Sequence, residues 1–312
     1  MPVELGTLRF IDLFCGIGGF RFALERAAVG RGLRPECVFS SDINAECGKA
    51  YAANFGERPS GDITQVDAAA VPAHDVLLAG FPCQPFSVIG KGHGFEDTRG
   101  TLFFDIARIL DAKRPACFVL ENVKRLAVHD GGRTLGRIME TLAGLGYQAG
   151  HRVLNALDFG LPHKRQRIFI VGFLKPAAFA WPAGGQPMLP LDELLEKRVD
   201  QKHYASPDIR ASRLGKIKRK PTCTSIWHEN KSGNVAAHPY SGALRAGASY
   251  NYLLVNGERR LTPREMLRLQ GFPESFKVVC SDHQTRRQAG NSLPVNVATA
   301  VVGNALDALL GI

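Results

Sequence analysis

The chain has 312 residues, 45% of them hydrophobic and 22% charged, an ordinary globular composition that excludes wholesale disorder and allows one large domain or two modest ones. Its formal net charge is +10 and its pI about 9.4, which favours a polyanionic partner because each neutralised phosphate releases counterions. The seven cysteines are irregularly spaced and form no C-x-x-C pair, which argues against a zinc site and a disulfide framework and for a reduced compartment. The N-terminus has no signal-peptide pattern, and no apolar run reads as a clean membrane span.

In chain order, residues 8–14 read as an apolar strand breaking into Cys15-Gly16-Ile17-Gly18-Gly19, with a helix over 20–28. Strands are predicted at 37–41, 75–80, 116–120 and 167–172, with helices at about 100–113 and 133–145 between them. Alternating strands and helices predict an α/β fold with a doubly wound, mostly parallel sheet. Prolines 176, 182, 187 and 190, with Gly184 and Gly185, punctuate a linker. Between 202 and 220 stand seven basic residues, Lys202, Arg210, Arg213, Lys216, Lys218, Arg219 and Lys220, against one acid, Asp208. Residues 227–251 show no clear period, and 294–310 is apolar at helical spacing. The expected organisation is a first domain over 1–175, completed by 285–312, and a smaller, irregular second domain with its hinge over 176–284.

The glycine turn lets backbone approach a ligand at the C-terminal edge of the sheet, and Asp42, ending the second strand, can accept from ribose hydroxyls. The turn reads F-x-G-x-G-G, not G-x-G-x-x-G, which suits NAD, FAD or S-adenosylmethionine and lowers the case for a dinucleotide. Asp62 stands where it could meet an adenine amino group. Cys83, between Pro82 and Gln84-Pro85 after an apolar strand, sits on a stiff loop at the same edge, where a thiolate would act as nucleophile. Glu121 follows another strand to that edge. Arg165 and Arg167 alternate onto one face and are expected to converge on Glu121 or on phosphate.

This set, in this order, resembles the DNA cytosine-5 methyltransferases, most closely those of bacterial restriction–modification systems. The matching motifs are Phe10 to Gly19, Pro82-Cys83-Gln84, Glu121-Asn122-Val123, Arg165-x-Arg167, Arg260 to Glu265 with Gln270 to Pro273, and Gly290-Asn291-Ser292. The resemblance implies an S-adenosylmethionine-dependent methyltransferase fold and methylation of flipped-out cytosine in a short duplex DNA sequence. By that resemblance Cys83 adds at C6, Glu121 holds the N3 and 4-amino edge, Arg167 contacts the base or orients Glu121, and Arg165 supports. The cofactor pocket carried over comprises Phe14, Ile17, Gly19, Asp42, Ile43, Asp62, Ile63, Pro82, Leu102, Phe272 and Asn291. Residues 90–100 resemble the family's mobile loop that closes over DNA, with Ser87, Lys91 and Arg99 as backbone contacts.

Residues 176–284 are expected to recognise the target, with Arg210, Arg213, Lys218 and Arg245 among the DNA-binding candidates. His163 stands where the family usually has glutamine, and Ala243-Leu244 where many members have Thr-Leu. A tRNA methyltransferase on the same scaffold lacks support, because the RNA branch's Cys-Phe-Thr element is absent. A silent DNA-binding regulator would have no reason to keep Cys83, Glu121, Arg165 and Arg167 together, and a nicotinamide oxidoreductase does not explain Pro82-Cys83-Gln84. A monomer, cytoplasmic and brought to the bacterial nucleoid by its DNA, is expected, with a restriction endonuclease as functional counterpart.

Overall fold

The computed structural model describes residues 6–82, 102–219 and 221–312. The chain divides into two compact units: Met1–Leu154, Gln166–Ala183 and Val297–Ile312, and Asn155–Arg165 with Gly184–Asn296.

In the first unit, β1 (Thr7–Leu13), β2 (Arg34–Ser41), β3 (Val76–Gly80), β4 (Cys117–Val123), β5 (Gln148–Asn155) and β6 (Gln166–Phe173) form one sheet, in the order β2-β1-β3-β4-β6-β5. β1 runs parallel to β2 and β3, and β3 to β4, whereas β6 is antiparallel to β4. The expected α/β sheet, mostly parallel, is present; β5 was not anticipated, because its QAGHRVLN sequence is largely exposed and lacks a continuous apolar run. Helices α1 (Gly19–Val29), α2 (Ala45–Phe55), α3 (Leu102–Lys113) and α4 (Arg133–Gly144) fill the connections. β1 splits its side chains by parity. Ile11 and Leu13 join a core with Leu77, Phe103, Ile106, Phe118 and Ile138, and Phe10 and Asp12, of opposite parity, are fully buried too.

The second unit holds α5 (Leu191–Leu194), α6 (Pro207–Lys216), a three-stranded sheet of β7 (Ile226–Glu229), β8 (Val235–His238) and β9 (Leu253–Val255), then α7 (Pro263–Leu269) and α8 (Asp282–Asn291). β7 lies between its two partners and is antiparallel to both. Helix α9 (Val295–Leu310) follows, and Arg31 on the α1 side holds Asp307 near its end through both carboxylate oxygens.

These bounds differ from the 175 and 285 read from the sequence. The Pro/Gly linker stays with the first unit only as far as Ala183, where Phe179 packs on Phe173, Trp181 on Phe179, and Arg152 lies 5.7 Å over the Trp181 ring. Helix α8 stays with the second because Gln270 Nε2 donates to Ala289 O. Asp282–Leu310 taken as one stretch is long and apolar enough for a span by length and composition alone, but 56% of its window is buried and Ser292–Pro294 separate its two helices.

Candidate active site

The turn leaving β1 places Phe14, Gly16 and Gly18 at positive φ (54°, 55° and 84°). Gly18 is required twice over, since a Cβ there would also fall 2.3 Å from the Phe55 ring. At Gly16 the same atom would meet nothing within 4 Å, so this side of the turn is open. The Gly16 N–H donates to Asp42 Oδ2 and the Asn44 N–H to Oδ1, each at 2.8 Å. Burial raises the Asp42 carboxyl above its ordinary pKa, and those two amides oppose the shift. Beside it Ile43 is 76% exposed, an apolar side chain left in water at the end of β2. Asp62 caps a short 3-10 turn through the Thr64 N–H. Open backbone, a fixed carboxylate with lone pairs to spare and an uncovered apolar side chain fit the ribose and base of S-adenosylmethionine.

Other pocket candidates fare differently. Gly19 opens α1, Leu102 opens α3, Phe14 is partly buried against the core and Pro82 is exposed. Ile17 and Ile63 are 2% and 3% exposed, and Ile63 belongs to the apolar core. Its side chain therefore offers little surface to a ligand. Phe272, packed on Phe276, and Asn291, the last residue of α8, belong to the second unit.

Glu121 is 8% exposed. Register places it opposite Phe169 and Val123 opposite Arg167, so Glu121 and Arg167 are diagonal neighbours on one face. Arg167 Nε lies 2.8 Å from Glu121 Oε1; burial lowers the arginine's pKa, and Glu121 counters it. On the other side, β3 pairs Gly80 with Glu121. A Cβ on Gly80 would sit 3.8 Å from Glu121 Oε2 and 4.0 Å from Phe14 O. The Glu121–Arg167 pair and the glycine turn thus share one edge of the sheet.

Asn122 follows Glu121 on β4. It is 3% exposed, and its Nδ2 donates to Phe81 O at 2.9 Å, tying β4 to the chain two residues before Cys83. Cys83 itself, Ser87, Lys91, Arg99 and the glycine-rich stretch lie outside the described residues. Gly18-Gly19 leads into α1 above Asp12, which is fully buried with neither oxygen in a normal hydrogen bond. Burial raises its pKa to about 8, against the opposing pull of Arg21.

Arg165 departs from expectation. It precedes β6 by one residue and belongs to the second unit. There it is fully buried and donates to Leu244 O and Gly290 O, each at 2.9 Å, and to Ser292 O. Strand alternation does not govern a residue outside the strand. His163, also fully buried, bonds through Nδ1 to Leu269 O and accepts the Leu244 N–H at Nε2, one donor and one acceptor, as a glutamine amide would supply.

Among the recognition candidates, Arg213 is 5% exposed, pairs with Glu229 and donates to Asn251 O; it is a buried strut, not a DNA contact. Lys218 and Arg245 are exposed and Arg210 is partly so. Trp227 is buried with its N–H on Ser225 Oγ, which removes it from base reading.

The C-5 cytosine-specific DNA methylase family matches residues 8–239 and 194–306. The chain is 54% identical to the Type II methyltransferase M.NgoBI of Neisseria gonorrhoeae, over 93% of this chain and 90% of that one. It is 50% identical to M.HaeII of Haemophilus aegyptius, over 96% and 93%. Among solved structures, a putative DNA modification methyltransferase from an E. coli prophage superposes with TM-score 0.73 at 20% identity, covering 97% of this chain and 99% of that one. The S. pombe Dnmt2 methyltransferase does so with TM-score 0.72 at 21%, covering 98% and 100%; both show the shared fold. The chain belongs to the C-5 cytosine-specific DNA methylase family and is a DNA (cytosine-5-)-methyltransferase that uses S-adenosylmethionine.

Proposed function

We propose that the first unit methylates a flipped-out cytosine with Cys83 as nucleophile and Glu121 as base-edge contact, while the second unit selects the DNA sequence. The observation that carries this is the Glu121–Arg167 pair at 2.8 Å, on the edge that also carries the open glycine turn. Cytosine C5 is a poor nucleophile. The Cys83 thiolate adds at C6, and the ring becomes enamine-like and nucleophilic at C5. Glu121, held by Arg167, takes the N3 and 4-amino edge and stabilises the activated ring. S-adenosylmethionine supplies the electrophilic methyl group. Phe14, Gly19, Asp42, Ile43 and Asp62 of the first unit would hold it. A base then takes the C5 proton, and Cys83 leaves by elimination.

Ser87, Lys91, Arg99, Arg210, Lys218 and Arg245 are proposed as DNA contacts, with the target nucleotide flipped at a cost of about a few kcal/mol. The enzyme is proposed to act as a monomer, in a bacterial cytoplasm and on nucleoid DNA, protecting sites from a restriction endonuclease without a stable complex.

The test is transfer of labelled methyl from S-adenosylmethionine to unmethylated genomic DNA, with 5-methylcytosine located by sequencing. Wild type should mark one short motif. Cys83→Ser should abolish transfer while binding S-adenosylmethionine normally; appreciable turnover by that variant would remove Cys83 from its role.

A further inference from the structure

In the second unit, one loop is held with unusual thoroughness. Residues 243–252 run from the buried Leu244 to β9, and three nearly buried arginines spend their donors on the loop's carbonyls. Arg165 takes Leu244 O, Arg286 takes Ala248 O and Ser249 O, and Arg213 takes Asn251 O. Tyr252 closes the loop on itself, its hydroxyl accepting from the Arg245 N–H at 2.9 Å and donating to Ala243 O at 3.2 Å. Helix α8 seats the loop through Gly290. A Cβ there would fall 2.5 Å from Ala246 N and 2.9 Å from the Arg245 carbonyl carbon, so only glycine allows the backbone this close.

From this base the Arg245 side chain projects. Arg245 is exposed, its guanidinium lies 4.6 Å over the Tyr252 ring, and among the described residues that guanidinium makes no hydrogen bond. Arg260 and Arg286 also lie over a ring, that of Tyr250, but both donate to backbone carbonyls. A stacked guanidinium with its donors free has already given up part of its freedom, so bidentate recognition costs it less further ordering.

We propose that Arg245 is a specificity-determining residue that reads one guanine of the target through O6 and N7 in the major groove, oriented by its stack on Tyr252. Arginine on guanine O6/N7 is the commonest specific base contact, and the energy of such a pair corresponds to roughly 5- to 150-fold discrimination. The proposal rests on the second unit being the sequence reader.

The test maps methylation on a random-sequence DNA library at fixed salt for wild type, Arg245→Lys and Arg245→Ala. Both variants should lose the preference for guanine at one position, by at least about fivefold, and keep the rest of the motif. Placing 7-deazaguanine there removes N7, so it should slow wild type and leave Arg245→Ala unaffected. An unchanged motif overturns the proposal, whether activity falls uniformly, as for a phosphate contact, or stays intact. A wild-type enzyme that methylates with no motif at all would instead overturn the reading of the second unit.

Discussion

At the scale of single residues, Asp12 and Asn122 carry consequences the motifs do not announce. Asp12 ionises near 3.8 when free and near 8 in the fold, where burial outweighs the pull of Arg21. Between those values the folded chain holds a proton that the unfolded chain has lost. Its contribution to stability is therefore complete below pH 4 and is lost as pH rises to about 8, by up to about 1.4 kcal/mol per pH unit. Asp12→Asn should remove this dependence. The difference in Tm between variant and wild type should widen from pH 5 to pH 8, and parallel curves would show that Asp12 ionises normally. Asn122→Ala leaves Phe81 O without its buried donor, at a cost of about 1–3 kcal/mol. Because Phe81 precedes Pro82-Cys83, methyl transfer should fall by more than S-adenosylmethionine binding; isothermal titration beside turnover measurements separates the two.

At the scale of elements, the second unit depends on polar pinning where its secondary structure is short. Helix α7 opens with a capping box: Thr262 Oγ1 accepts from Glu265 N–H and Glu265 Oε2 from Thr262 N–H. Glu265 is fully buried, yet every oxygen is used, because Arg259 reaches both and Glu196 N–H donates to Oε1. Thr262→Ala should lower the unfolding free energy by about 1 kcal/mol. Glu265→Ala, which strands Arg259, should cost about 3–5 kcal/mol. Urea denaturation of both, with the double variant, should show strong non-additivity; simple addition would mean the cap and the ion pair act separately. In this element Thr-Pro-Arg-Glu carries cap, N1 proline and box partner within four residues, a local signal read from the sequence only as part of a family motif.

At the scale of the molecule, the net charge of +10 should appear as a steep loss of DNA affinity with rising salt. Lys218 and Arg219 are exposed on the basic segment after α6. Replacing either with alanine should reduce the slope of log K against log salt by about one. Arg213→Ala should instead reduce stability with the slope unchanged, because its charge is already neutralised inside the unit. A flat salt dependence in the wild type would mean that segment 202–220 does not face DNA.

The sequence by itself determined most strands and turns of the first unit, though neither β5 nor α2, together with the expected nucleophile and the carboxylate at the sheet edge. Those are local properties: apolar runs, glycines at positive φ, a cysteine between prolines, a glutamate closing a strand. It also carried the family, through motifs that are each short and local in sequence. The tertiary structure alone decided the fate of the arginines and of Ile63. Arg167 meets Glu121 because β6 lies antiparallel to β4 in one register. Arg165, two residues away, is drawn to carbonyls 79 and 125 positions distant. Whether a guanidinium faces DNA, a carboxylate or a buried carbonyl depends on which backbone groups the packed chain leaves without partners. Those partners lie far apart in sequence, and no local pattern records them.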